Sequence, residues 1–378
     1  MNHLQLKQAL LKRARRVVVK VGSSLLSSAE GLDRRRIRAL VREIEELAGA
    51  EREFIVVTSG AVAAGRARMG FRERPKTIPQ KQAAAAVGQI DLMAAYKECF
   101  EARGRHVAQI LLTRDDLTNR RRYLNAKHAI AALLEAGARP IVNENDTVAV
   151  DEIKLGDNDN LSAAVAVLVA ADMLVILSDV DGLHTADPRR DRSARPVPVL
   201  EANDPDAERY AQASAGRLGT GGMATKLEAA RRAAAAGIST IIADGRTEHA
   251  LSRVFDPQTV TGTLLLPATD RLASRKHWIA FTLRPQGVLH LDAGAATALR
   301  DKGRSLLPSG LKLVEGTFGA GDCVRCVAPD GAEVARGLVN YSAAELRRIQ
   351  GAHTRDIDAI LGYKVSDEVI HRDDMVIA

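Results

Sequence analysis

Long apolar runs are missing from this 378-residue chain. None approaches the roughly 20 residues that span a bilayer, so no transmembrane segment is expected. Cysteine is scarce: three residues exclude a disulfide framework and suit a reducing compartment, the cytoplasm. Cys323 and Cys326 form a C-x-x-C, but a zinc ribbon needs a second pair. They fall in a stretch that reads as a strand, where residues three apart point to opposite faces, so the spacing is a coincidence. Aromatics make up only 3 % of the chain, and Ala-rich helices with so little aromatic content pack close to a sheet. Familiar catalytic signatures are absent too. No G-x-x-x-x-G-K-S/T loop occurs, because Gly219 and Lys226 are wrongly spaced. No G-x-G-x-x-G follows the first strand, no H-R-D and D-F-G pair exists, and nothing resembles a serine-hydrolase elbow. The N-terminal MNHLQLKQALLKRARR is basic and periodic but has no apolar core with a cleavage site, so it reads as a short helix and not a secretory signal.

What the chain does have is 46 % hydrophobic residues, ample for a packed core, and a length that implies two domains. Apolar strands alternate with helical periodicities from Arg16 to Ala243. The stripe Ile37, Leu40, Val41, Ile44 and Leu47 is the clearest of the helical ones. Such alternation implies an open, mainly parallel sheet sandwiched by helices, an α/β fold. Around Gly262–Asp270 the pattern changes, and from Trp278 short strands recur every 8–12 residues, the mark of a small β-rich barrel or sandwich. The expected organisation is a catalytic domain over 1–267 with its strand core starting near residue 16, a linker over 268–277, a β-rich domain over 278–363 and a tail over 364–378. Net charge is +7, which brings nucleic acid into consideration. The excess lies in the larger domain, on helix surfaces such as Arg34–Arg38 and Arg120–Arg122, and reads as a solvated face.

The chain is organised around Asn143–Ala163, a polar block between two apolar runs. Asp146, Asp151, Glu152, Asp157 and Asp159 lie there among Asn143, Asn145, Asn158 and Asn160. An apolar run ending in acids and amides reads as a parallel strand delivering polar groups to its carboxyl end, where open α/β sheets bind ligands. A solvated turn with a helix cap would need one such residue, not nine. Three Gly-containing turns also follow strands: Gly22-Ser23-Ser24, Thr58-Ser59-Gly60-Ala61 and Thr220–Lys226. Glycine lets backbone approach a ligand closely, and amides at a helix N-terminus favour anions. Together with Lys20 and Lys226, the three turns point to bound phosphate.

Taken together, Val18-Val-Lys-Val-Gly-Ser-Ser24, Val56-Val-Thr-Ser-Gly-Ala-Val-Ala-Ala-Gly65, Asn143-Glu-Asn-Asp146, Lys154-Leu-Gly-Asp-Asn-Asp-Asn-Leu-Ser-Ala163, Gly219-Thr-Gly-Gly-Met-Ala-Thr-Lys226 and His371-Arg-Asp-Asp-Met375 resemble the amino-acid kinase family. The resemblance is to its γ-glutamyl kinase (glutamate 5-kinase) branch, whose longer members carry a C-terminal PUA domain. It runs from about Arg16 to the C-terminus. Gly-Asp-Asn-Asp-Asn and Gly-Thr-Gly-Gly-Met separate that branch from acetylglutamate, carbamate, aspartate and UMP kinases. Ser178-Asp179 stands where Thr-Asp is expected, and the segment before Arg16 is longer than expected.

The resemblance implies ATP-dependent phosphorylation of the γ-carboxylate of L-glutamate with Mg²⁺, the first step of proline biosynthesis. By match to the motifs, Lys20, Lys226 and Asp159 are catalytic, Asp159 holding the two ammonium groups. Ser59, Gly60, Asn143, Asp146 and Asn158 match the amino-acid site, with Asp146 receiving the α-ammonium group. Lys20, Gly22, Ser178, Asp179, Thr220, Gly221, Gly222, Met223, Ala224, Thr225 and Lys226 match the nucleotide site, and Asp157 is a candidate Mg²⁺ ligand. Feedback inhibition by proline, a homodimer or homotetramer, and a partner glutamyl phosphate reductase are also implied, with no membrane association. A rival within enzymes is a kinase for N-acetylglutamate or aspartate, against which the acidic Asp146 argues. A rival of another kind is an RNA-binding or regulatory protein acting through Trp278–Tyr363, whose charge is nearly balanced.

Overall fold

The computed structural model describes residues 3–28, 31–49, 51–71, 73, 75–148, 158–187, 190–213, 222–268 and 285–377. The chain divides into two compact units, Met1–Leu117 with Lys127–Asp270 and Thr118–Ala126 with Arg271–Ala378. The first unit contains β1 (Arg16–Val21), β2 (Glu53–Val57), β3 (Val107–Leu112), β4 (Arg139–Glu144), β5 (Met173–Ser178), β6 (Val199–Glu201), β7 (Ser239–Asp244) and β8 (Thr263–Leu266). They form one sheet in the order β3-β4-β2-β1-β5-β7-β8-β6. Every pairing from β3 to β7 is parallel. Only β8 reverses, running antiparallel to β7 and parallel to β6. A central parallel strand is covered on both faces, which is why β1 reads Val17-Val18-Val19 and buries all three completely.

The mainly parallel sheet is the one that the alternation implied. The last two strands at one end of the sheet, the edge strand β6 and its neighbour β8, carry no signal of their own in the sequence. At three and four residues they are too short for periodicity to register.

Helices accompany the sheet, among them α1 (His3–Arg13), α2 (Ser23–Leu26), α3 (Arg34–Ala48), α4 (Ala61–Arg68), α5 (Ile78–Glu101), α6 (Arg120–Glu135, of which the part from Lys127 belongs to this unit), α7 (Asn158–Leu168), α8 (Met223–Ala235) and α9 (Ala250–Phe255). Asp33 caps α3 by accepting from the amides of Arg35 and Arg36, and the stripe Ile37, Leu40, Val41 and Ile44 is buried as its spacing requires. The extension before β1 is docked. Lys7 of α1 is buried and donates to the carbonyls of Arg253, Asp256 and Thr259, in the last turn of α9 and the segment that follows it.

Helices α4 and α5 touch at glycine. A Cβ on Gly65 would stand 1.7 Å from the Ala84 carbonyl oxygen, and one on Gly88 would stand 1.9 Å from that of Ala61. Only backbone against backbone fits there, which holds α5 in register with the turn after β2. Among the described residues no helix is long and apolar enough to cross a membrane.

The second unit has its own sheet of β9 (Gly287–Leu291), β10 (Leu311–Gly316), β11 (Cys323–Val327), β12 (Glu333–Leu338) and β13 (Met375–Ile377), in the order β10-β9-β11-β12-β13. It is antiparallel except between β9 and β11. Three α-helices, Ala293–Lys302, Ala343–Ile349 and Ile357–Leu361, accompany it among the described residues, where the sequence pattern shows only short strands. Ala293–Lys302 is capped by Asp292, and Ala343–Ile349 by a Ser342–Glu345 capping box. Cys326 joins the main core of this unit while Cys323 packs with Leu338 in a separate cluster. The two cysteines therefore face opposite sides of the sheet, and burial pushes the Cys326 thiol up to about 12. A cavity of about 650 Å³ lies in this unit, with Arg304, Ser305, His371 and Arg372 in its wall.

Candidate active site

Parallel strands all deliver their following turns to one edge of the sheet. At that edge lie Lys20 and Gly22 from β1, Thr58-Ser59-Gly60 after β2, Asn143 from β4, and Ser178 and Asp179 from β5. Lys20 reaches its place by strand alternation. Val17, Val19 and Val21 belong to the core that includes Ile37, Ile44 and Leu92, so Lys20 points to the other face.

Helix α7 begins earlier than the apolar pattern suggested. Its first turn contains Asn158 and Asp159, both buried. Helix α8 likewise begins at Met223, so Lys226 sits within the helix and not in the loop before it. In both helices the polar residues of the first turn break the apolar pattern, because each finds a partner inside the protein.

Asp159 is 0 % exposed and stands between two cations. Lys20 Nζ lies 2.6 Å from its Oδ1, and Lys226 Nζ 3.1 Å from its Oδ2. The Thr225 hydroxyl lies 2.9 Å from Oδ2 and 2.8 Å from the Gly222 carbonyl oxygen, within reach of either. Burial opposes ionisation of Asp159, but the two ammonium groups outweigh it and hold the carboxyl below the usual range. Like charges thus sit side by side in a low-dielectric place, ready to meet an anion. Gly222 is the N-cap of α8 in extended conformation, Gly60 caps α4 at φ 109°, and the Gly22 amide donates to the Leu177 carbonyl. The Ser178 hydroxyl donates to Asp179 Oδ1 at 3.1 Å.

Next to this clamp lies a chain of amides. Asn158 Nδ2 approaches the Thr58 carbonyl at 2.6 Å, Ser59 Oγ at 2.9 Å and Asn143 Oδ1 at 3.0 Å. Asn143 Nδ2 in turn donates to Gln89 Oε1 at 2.8 Å. Beneath it the Thr58 and Tyr96 hydroxyls pair at 3.0 Å. Half-buried Asp146 follows β4, and burial raises its carboxyl to about 6.

The structure therefore gathers Lys20, Lys226, Asp159 and Thr225 into one cluster and Ser59, Asn143 and Asn158 into another. Asp157, Thr220 and Gly221 lie outside the described residues, as do Asp151 and Glu152. Gln89 and Tyr96 carry no signal in the sequence, and Thr58 is marked there only as part of the turn after β2. Gln89 is an amide in an Ala-rich helix, and no spacing ties it to Asn143.

Among the described residues no group of three or more His, Cys, Asp or Glu side chains gathers as a metal site. Asp159 is engaged by two ammonium groups, so its carboxylate is not available as a ligand. Mg²⁺ is commonly held by one or two carboxylates plus substrate phosphates, a requirement that a cage of protein ligands does not have to meet.

Fold and site together define an enzyme of the kinase class. Residues 15–244 match the model of the amino acid kinase family and residues 287–361 that of the PUA domain. The chain is 51% identical to the glutamate 5-kinase of Citrifermentans bemidjiense over 373 residues, which span 98% of this chain and 100% of that one. It is 52% identical to the glutamate 5-kinase of Geobacter metallireducens and 50% identical to that of Geobacter sulfurreducens, with the same coverage. A solved UMP kinase from Bacillus anthracis covers 68% of this chain and 97% of its own at 15% identity and a TM-score of 0.46, too loose a likeness to bear on function. The chain belongs to the amino acid kinase family.

Proposed function

We propose that this enzyme transfers the γ-phosphoryl group of ATP to the γ-carboxylate of L-glutamate, giving γ-glutamyl phosphate and ADP. The observation that carries the reading is the buried Asp159 carboxylate holding Lys20 and Lys226 together beside the Ser59–Asn158–Asn143 cluster. The glutamate 5-kinases at about half identity over nearly the whole chain support the choice of acceptor.

The chemistry needs no general base, because a carboxylate with a pKa near 4.3 is already ionised at neutral pH. A carboxylate oxygen attacks the γ-phosphorus in line, the bond to the β,γ-bridging oxygen breaks, and ADP leaves with that electron pair. The protein's task is to bring two anions together and to neutralise charge in a loose transition state. Lys20 contacts the transferring phosphoryl group and Lys226 the nucleotide phosphates, while Asp159 fixes the positions of both ammonium groups. Gly60 and Thr220–Lys226 present amides to phosphate, Gly22, whose own amide is taken by the Leu177 carbonyl, shapes the turn after β1, and Ser178 and Asp179 belong to the nucleotide site. Ser59, Asn143 and Asn158 hold the amino acid, and Asp146 receives its α-ammonium group. Mg²⁺, when bound with ATP, neutralises phosphate charge, and Asp157 is its proposed ligand. The acyl phosphate hydrolyses and cyclises readily, which calls for a reductase to consume it on the way to proline, and proline acts as inhibitor at the amino-acid site. A homodimer or homotetramer in the cytoplasm completes the reading.

The test is ADP release with Mg-ATP and L-glutamate, N-acetylglutamate, aspartate or UMP, with hydroxylamine trapping acyl phosphate as hydroxamate. Turnover and hydroxamate with glutamate alone are expected. Turnover with another acceptor instead would overturn the assignment of the substrate.

A further inference from the structure

The amide chain beside the clamp has a polarity, and one backbone atom sets it. The Thr58 carbonyl can only accept, so the Asn158 atom 2.6 Å from it is the donor Nδ2. The Asn143 atom 3.0 Å from that Nδ2 must then be the acceptor Oδ1. This turns Asn143 Nδ2 toward Gln89, whose facing atom at 2.8 Å must be Oε1. No freedom to flip remains along the chain. Its far end is Gln89 Nε2, a donor with two hydrogens that is buried and has no acceptor among the described residues. A buried donor without a partner carries its full desolvation penalty.

The position of Gln89 is equally constrained. The neighbouring Gly88 lies against the Ala61 carbonyl oxygen, and its amide-side neighbour Gly65 closes the same contact. Helix α5 cannot slide at this point without a clash, and the bond from Asn143 Nδ2 to Gln89 Oε1 keeps Nε2 beside the amino-acid cluster. Among the described residues, Gln82 and Gln89 lie seven residues apart on α5, but only Gln89 bonds to Asn143.

We propose that Gln89 is a specificity-determining residue of the amino-acid site, whose Nε2 donates a hydrogen bond to the α-carboxylate of the acceptor. Asn158 neighbours Asp159 and so marks the reacting end of the amino acid. Gln89 stands two amides further along the relay, at the end where the α-substituents lie, and a carboxylate is the group that a spare N–H donor fits. The same relay makes Gln89 the residue that holds Asn143 and, through it, Asn158 in their donating orientation.

The inference rests on L-glutamate as acceptor, and the experiment separates the two. Gln89→Glu is nearly isosteric: one carboxylate oxygen still accepts from Asn143, while the other puts charge where the donor was. Wild type and variant are compared on L-glutamate and on isoglutamine, in which the α-carboxylate is an amide and the γ-carboxylate is intact. The expected result is a rise in KM for glutamate of at least about tenfold, with KM for ATP unchanged. The preference for glutamate over isoglutamine should fall by at least about tenfold, because the isoglutamine amide can donate to Glu at position 89. A merely structural role would move the melting temperature without moving that ratio. An unchanged ratio in a folded Gln89→Glu enzyme would overturn the inference. Should that variant not fold, Gln89→Ala decides, since it removes the donor on a helix-favouring residue, and an unchanged KM for glutamate would have the same meaning. Wild type that phosphorylates another acceptor but not glutamate would overturn the substrate assignment alone. The comparison of Gln89 variants on that acceptor would then test the residue.

Discussion

Replacing Asp159 by Asn removes one negative charge from between two buried positive ones. The lost attraction is large. At contact distances of 2.6 and 3.1 Å, an effective dielectric near 20 gives roughly 5–6 kcal/mol for each pair before desolvation is counted. Much of that offsets the cost of burying the carboxylate. The net loss on breaking such a buried pair is about 3–5 kcal/mol. The asparagine oxygen can accept from one lysine, but its Nδ2 would then face the other ammonium group, donor against donor. For a unit of this size, 1 kcal/mol moves the melting temperature by about 2–4 °C, so Asp159→Asn should melt roughly 6–20 °C below wild type. ATP brings phosphates to the two lysines, so it should raise the variant's melting temperature more than it raises that of wild type.

Catalysis should suffer for the same reason. With the ammonium groups no longer pinned, kcat should fall at least about 100-fold, or roughly 2.7 kcal/mol, while KM for glutamate stays within about threefold. A thermal melt with and without ATP and a coupled ADP assay measure both. A variant with wild-type kcat and melting temperature would refute the clamp, and a change confined to KM would make Asp159 a substrate contact. The pH sign is also set. The folded carboxyl titrates below its ordinary value, so its contribution to stability is intact above the unfolded value near 3.9 and fades as pH falls through the depressed one.

Lys20→Ala and Lys226→Ala should each lower kcat at least tenfold, or about 1.4 kcal/mol, and near-wild-type kcat in both folded variants would end the two-lysine scheme. Asp146 titrates near 6 because burial disfavours its charge, so KM for glutamate should rise as pH falls from about 7 to 5, and Asp146→Asn should abolish that dependence. The same raised value means that folding binds a proton between about 3.9 and 6 and that stability from this group is lost as pH rises through that window. Asp146→Asn should therefore melt higher than wild type at pH 7 while losing affinity for glutamate, and a lower melting temperature would contradict the burial argument. Gly88→Ala should destabilise the first unit by about 1–3 kcal/mol or more, since its Cβ would overlap the Ala61 carbonyl oxygen; an unchanged urea midpoint would show that α4 and α5 can separate freely.

The sequence by itself determined the parallel core of the sheet and the family. Strands such as Arg16–Val21 and Met173–Ser178 declare themselves because a parallel strand buried on both faces leaves a nearly continuous apolar run, broken in the first only by Lys20. Lys20 and Lys226 stand out in the sequence beside glycine turns, Asp159 stands out in a polar block between apolar runs, and the grouping of the three comes from the motif resemblance. Only the tertiary structure decided that Asp159 lies in the first turn of a helix with one lysine on each of its oxygens, since the nearer of the two lysines is 67 residues away in sequence. The same holds for Gln89. A lone amide in a helix of alanines carries no periodic or spacing signal, and its meaning comes from a hydrogen bond to Asn143, 54 residues away. It comes also from the Gly65–Gly88 contact that holds α5 where that bond can form. The short strands Val199–Glu201 and Thr263–Leu266 are silent in the sequence for a related reason: so short a strand is specified by the neighbour it pairs with, not by its own pattern.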